Sequence, residues 1–292
     1  MNIIADTHAK IKASTPPPHL FHTSADIYME WKPIKFQQHP ASTVRIHSRL
    51  DSTLYDLLTI EKSRSYWTKK MKVPKQMVHT INWRSLSIAF SNLNPNKKKE
   101  VLKWLSGFCA TNSMLYLRKQ ATSAECPGCQ HPNETTVHVI KCQTPSATAV
   151  WNEAISGLKR WMTSRNAAPE LADTVIFGLQ AWRNNYPALH RIYSLPYLTA
   201  AVTAQNQIGW RGFLHGFTAR DWETAQHTYL QFKSSKMTGK RWIAALIKKL
   251  WETIWALWRY RNGLVHEETN TPLKKINSAS QHFGLKRITI RT

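Results

Sequence analysis

The sequence predicts a mostly α-helical protein with a Cys–Cys–His–Cys zinc knuckle embedded in it and a loosely structured N-terminal region. Three observations predict this. From about residue 80 onward, apolar and aromatic residues recur at helical spacing. Cap signals, Asn94-Pro95 and Thr144-Pro145 among them, open these segments. Three of the four cysteines crowd together with a histidine in the turn-rich window 122–143.

The elements follow in order. Residues 2–12 can form a short helix, and STPPPHL then favours an extended polyproline II linker. STVRIHSRL alternates as a strand would. SRLDSTLYDLLTIEKSRSYWTKKMK reads as an amphipathic helix, with Asp51 as N-cap and Leu54, Leu57, Leu58 and Trp67 on one face. NWRSLSIAFSNL groups Trp83, Leu86, Ala89 and Phe90. NKKKEVLKWLSGF should turn Val101, Leu102, Leu105 and Phe108 inward and its lysines outward, and NSMLYLRKQ adds a short helix. Helices are then expected over AVWNEAISGLKRWMTSR and PELADTVIFGLQAWRNN, and Pro187 and Pro196 break the stretch between them and the next helix. Three more should cover TAAVTAQNQIGWRGFLHGF, ARDWETAQHTYLQFKSS and KRWIAALIKKLWETIWALWRYRNGLVHEE, with a frayed basic tail after Thr271. Domain borders are expected at 79/80 and 143/144, giving regions 1–79, 80–143 and 144–292.

At 292 residues and 42% hydrophobic, with 13 Trp, the chain can bury a substantial core. Its 40 Lys+Arg against 17 Asp+Glu leave a formal charge of +23, which favours a polyanionic partner. Nucleic acid is the first candidate and an anionic membrane surface the second. The start MNIIADTHAK lacks an apolar core for a leader, and no stretch matches a membrane span. An intracellular protein, in nucleus or cytoplasm and not secreted, is therefore the expectation.

The knuckle is Cys126-Pro-Gly-Cys129, then His138, then Cys142. Two cysteines two residues apart turn both sulfurs toward one centre, and Pro127-Gly128 suits that turn, Pro fixing φ and Gly accepting a positive one. His138 and Cys142 are one helical turn apart. Four such donors close a tetrahedral structural zinc site and leave no position for a reacting water, so Glu134 has no bound water to deprotonate. His131 is an alternative to His138, and a redox pair is the alternative for Cys126 and Cys129. Cys109 follows a helical pattern and reads as a small buried hydrophobe.

CPGCQHPNETTVHVIKC resembles the zinc-binding module downstream of the reverse transcriptase in non-LTR retrotransposons, and the lead-in from Ile81 to Gln120 is similar too. Some members of that family place four residues between the His and the last Cys; here there are three. The resemblance implies a helical zinc module that binds nucleic acid. Trp251–His266 resembles the C-terminal Trp–Arg–Asn–His helix of such proteins, which implies Arg259, Arg261, Asn262 and His266 along a phosphate- or base-facing edge. NIIADTHAK is similar to the last helix of ribonuclease H domains, with Asp6 matching its carboxylate, and implies a polyprotein fragment with a remnant at 1–12. The upstream reverse transcriptase region would then be a partner where the two are expressed together.

Hydrolysis by two metals needs several converging carboxylates, and Asp6 has no partners for it. No Asp-Asp pair, Walker loop, G-x-G-x-x-G or G-x-S-x-G occurs. The chain is therefore expected to catalyse nothing alone. Lys97, Lys98, Lys99, Lys103, Arg118 and Lys119 are the expected phosphate contacts around the knuckle, with Tyr116 as a base-stacking candidate. The alternative is a zinc-stapled scaffold that docks another chain on its Trp-rich last helix.

Overall fold

A computed structural model describes residues 50–187 and 196–282, with side chains placed over 59–187 and 197–266. The predicted helix at 2–12, the polyproline linker, Asp6 and all but the last residue of the strand expected over 42–50 lie outside these residues, as do the side chains of Leu54, Leu57 and Leu58. Residues Glu61–Thr292 make one compact unit. Among the described residues there is no β-strand, only an isolated antiparallel bridge between Ile81 and Ala219.

The chain runs α1 (Leu50–Met71), a 3-10 turn (Lys75–Thr80), α2 (Trp83–Ser91), α3 (Pro95–Ser106) and α4 (Asn112–Leu117). After the cysteine loop come α5 (Thr136–Lys141), α6 (Pro145–Ser164) and α7 (Pro169–Arg183). The series ends with α8 (Pro196–Ile208), α9 (Trp210–Leu214), α10 (Asp221–Phe232) and α11 (Gly239–His282). The caps explain several starts. Asn94 accepts from the Lys97 N–H at 2.9 Å ahead of Pro95, and Thr144 accepts from Ala147 at 3.3 Å ahead of Pro145. Asn82 caps α2 through Ser85 and also donates to Glu223 at 2.7 Å, tying α2 to α10.

Helix α11 is the spine, packed on α2, α6 and α10. Its Trp242, Ile243, Ile247, Leu250, Trp251, Ile254 and Leu257 are buried in the core shared with Trp151, Leu171, Phe213 and Trp222. Three buried indoles find acceptors: Trp242 on the Arg165 carbonyl, Trp251 on the His215 carbonyl and Trp222 on Gln205. The same core takes Val101, Trp104, Val139 and Ile140, so packing runs straight across the border expected at 143/144.

Four expectations change. The helix expected over 199–217 starts at Pro196 and breaks at Gly209, whose φ of 91° only glycine adopts without strain. In α3, Val101, Trp104 and Leu105 form the buried stripe, while Leu102 is exposed one position off it. Phe108 is exposed too, because Gly107 (φ 74°) ends the helix and swings the chain outward. Helix α11 continues past Thr271 to His282 instead of fraying, and α1 already begins at Leu50, which puts Asp51 inside its first turn.

Candidate metal centre

The loop between α4 and α5 is laid down by backbone bonds. Cys126 N–H donates to the His131 carbonyl and Gln130 N–H to the Cys126 carbonyl, both at 2.9 Å, closing a tight turn around Cys129. Glu134 N–H reaches the Ala124 carbonyl at 2.8 Å and draws the two sides of the loop together. The left-handed residue of the turn is Gln130 (φ 58°), not Gly128 as expected from Pro-Gly. A Cβ at Gly128 would meet only ordinary contacts, the nearest being Leu264 at 3.6 Å, so neither strain nor space demands glycine there.

Thr135 caps α5, its hydroxyl accepting from the His138 N–H at 3.1 Å. This sets the phase of the helix and brings His138 and, one turn later, Cys142 to the turn. Cys126, Cys129, His138 and Cys142 then bring their donor atoms within 4.8 Å of one another. Cys129 Sγ and His138 Nε2 lie 3.2 Å apart. A tetrahedron with bonds of about 2.3 Å has edges of about 3.8 Å, so three sulfurs and one imidazole at these separations can hold a metal ion. His131, the alternative donor, stacks on the His138 ring at 4.3 Å between centroids.

Burial pushes the Cys126 thiol up to about 12. Burial would raise Cys142 as well, but hydrogen bonds from Thr144 and from the other two thiols outweigh it and hold that thiol below its usual value. His138 is kept below its ordinary pKa by burial first and by neighbouring His131 second, against Glu134, so it favours the neutral, ligating form.

Two arginines that come from far along the chain hold this loop. Arg183, at the end of α7 and buried, donates to the carbonyls of Ile140 at 3.0 Å and Cys142 at 2.7 Å, satisfying the open end of α5 where the last donor sits. Arg261, on α11, grips Glu134 with both nitrogens: Nε to Oε1 at 2.8 Å and Nη2 to Oε2 at 2.6 Å. Glu134 is fully buried and takes a third bond from the Asn112 N–H at 2.6 Å. A carboxylate so occupied positions the knuckle against α11 and is not available as a base. Tyr260 packs on Cys126, Cys142 and Ala147 beside it.

Arg261 therefore leaves the expected phosphate-facing edge. It is 7% exposed, and its charge is used internally on Glu134. Asn262 accepts from Arg261, while Arg259 and His266 are exposed on α11. Lys97, Lys99, Lys103, Arg118 and Lys119 are exposed and Lys98 half-buried. Lys97 pairs with Glu100 at 3.1 Å and lies over the Trp255 ring at 4.2 Å. Tyr116 is exposed. Cys109 is buried and apart from the cluster, and burial raises its thiol to about 11. Residue spacing could not reveal Arg183 or Glu134; the one signal was a carboxylate and a guanidinium in otherwise apolar or turn-rich contexts.

The class these features define is a helical protein with a Cys3His centre able to hold a metal ion. No family model, curated protein or solved structure matches the chain. No described helix is long and apolar enough to cross a membrane.

Proposed function

We propose that the chain is a zinc-stapled nucleic-acid-binding protein, the C-terminal part of a retrotransposon reverse transcriptase, which positions template RNA or target DNA and catalyses nothing alone. The Cys126, Cys129, His138 and Cys142 cluster carries the reading. Three thiolates and an imidazole suit zinc, fill all four positions and make a poor Lewis acid, which favours a structural role. The excess of 23 positive charges supplies the attraction to phosphates, and the exposed Lys99, Lys103, Arg118 and Lys119 lie on the elements that lead into the knuckle. The resemblance of the knuckle motif supplies the retroelement origin.

A salt titration of RNA and DNA binding by the zinc-loaded chain tests it. Log affinity should fall linearly with log salt, by about three to five orders of magnitude between roughly 50 and 200 mM if about six to ten phosphates are contacted. Replacing Lys97, Lys98 and Lys99 with Ala should weaken all sequences alike and flatten the slope by about three. Absence of binding at low salt would favour the scaffold reading instead. Trp251 is buried and Trp255 and Trp258 half-buried against the core, so these indoles already have a packing role within the chain.

A further inference from the structure

We propose that Phe108 is a stacking platform for an unpaired nucleobase, so that the face it stands on takes single-stranded rather than duplex nucleic acid. The inference rests on the nucleic-acid reading above. Phe108 is 51% exposed, with half of its surface open to a ligand. It is held there by its backbone. The Gly107 N–H donates to the Trp104 carbonyl at 3.0 Å and the Phe108 N–H to the Lys103 carbonyl at 2.8 Å, a closed C-terminal cap that fixes where the ring begins.

Two cations lie close to it. Lys70 Nζ of α1 lies 5.5 Å from the ring centroid, and the Arg118 guanidinium beyond α4 reaches the Phe108 carbonyl at 3.5 Å. Tyr66, one turn before Lys70 on α1, and Tyr116, two residues before Arg118, are also half-exposed rings. No ion pair among the described residues uses Lys70, Lys103, Arg118 or Lys119, and the one carboxylate of α3, Glu100, is taken by Lys97. Half-exposed rings on the same elements as cations outside any ion pair, on a chain of this charge, suit a strand that offers both phosphates and unstacked bases. A duplex hides its base faces and would use only the cations. An apolar protein surface would leave the cations without partners.

The test uses the zinc-loaded full chain, a labelled oligothymidylate and a mixed-sequence duplex. Phe108→Ala should lower affinity for the oligothymidylate about 5- to 100-fold and leave duplex affinity and both salt slopes unchanged. Phe108→Trp should retain or tighten single-strand binding. Lys70→Ala with Arg118→Ala should weaken both ligands and flatten both slopes. Equal loss on both ligands in Phe108→Ala, or loss on neither, overturns the stacking role while the nucleic-acid reading stands. A concentration-dependent dimer in sedimentation that Phe108→Ala abolishes, with oligothymidylate binding intact, gives this face to a second copy and overturns it too. A parent chain that binds neither ligand overturns both readings.

Discussion

The cysteine loop and the α6–α11 body are ordered by different physics. In the body, Trp151, Trp222, Trp242, Phe213 and Leu179 are almost wholly removed from water, and each helix is held by apolar burial against several others. The loop over 122–143 buries little that is apolar beyond Val139, Ile140, Cys126 and Cys142. Its shape depends on four donor atoms, a few backbone bonds and two arginines that arrive from α7 and α11. A loop of that size cannot offset its own ordering entropy by burial. On the zinc reading proposed above, the body is stable by composition and the loop only with its ion bound.

The largest expected effect breaks this contrast open. Stripping zinc with a chelator, or making Cys126→Ser with Cys129→Ser, should expose amides of the loop and α5 to exchange by several orders of magnitude. Amides of α10 and the first half of α11 should keep most of their protection. Hydrogen exchange followed by mass spectrometry reads both at once. A single transition in which loop and body lose protection together would show that they are one cooperative unit.

A smaller effect sharpens the contrast at the joint. Arg261→Met leaves the Glu134 carboxylate buried and short of its bidentate partner, a change that costs about 3–5 kcal/mol where no water enters. Replacing both partners, Glu134→Gln with Arg261→Met, should recover much of that, because the stranded charge is gone. Urea melts of the single and double variants give the two numbers. If the single variant loses under about 1 kcal/mol, the loop does not depend on α11 for its position.

How much of this could be read beforehand follows from the range of each interaction. The four donors were legible because their chemistry is local: a two-residue turn and one helical turn fix their convergence. The caps at Asn94 and Thr144 were legible for the same reason. Leu102 was misplaced because hydrophobicity names core candidates but not the phase of the stripe, which Trp104 sets here by packing on Trp258, and Phe108 because the helix ends before it at Gly107. The break at Gly209 needed its φ, which residue type permits but does not dictate. Arg261 resembled a phosphate contact in sequence because nothing local signals that Glu134, 127 positions away, waits for it. Arg183 was silent for the same reason, 41 positions from the Cys142 carbonyl that it holds.

The smallest predicted effect separates loop and body by their response to acid. On the zinc reading, the loop should lose its ion as its donors take up protons. The body has its own acid sensitivity in His215, fully enclosed at the end of α9 with Nδ1 3.3 Å from Met71 Sδ. Burial first, and the Arg211 guanidinium second, push its pKa down to about 3. The folded chain therefore keeps His215 neutral while the unfolded chain protonates it below its ordinary 6.5. The unfolded state binds more protons between about 6.5 and 3, so the contribution is complete above 6.5 and is lost as pH falls through that window. Between pH 7 and pH 5 the loss from this one group should be about 2 kcal/mol. His215→Gln should start less stable at neutral pH yet decline less on acidification. Measured as the difference between parent and variant in urea melts of the zinc-free chain at both pH values, the loop's own titration cancels. Parallel declines in the two chains would mean that water reaches His215 in the folded state, and that the body is less dry than its buried indoles suggest.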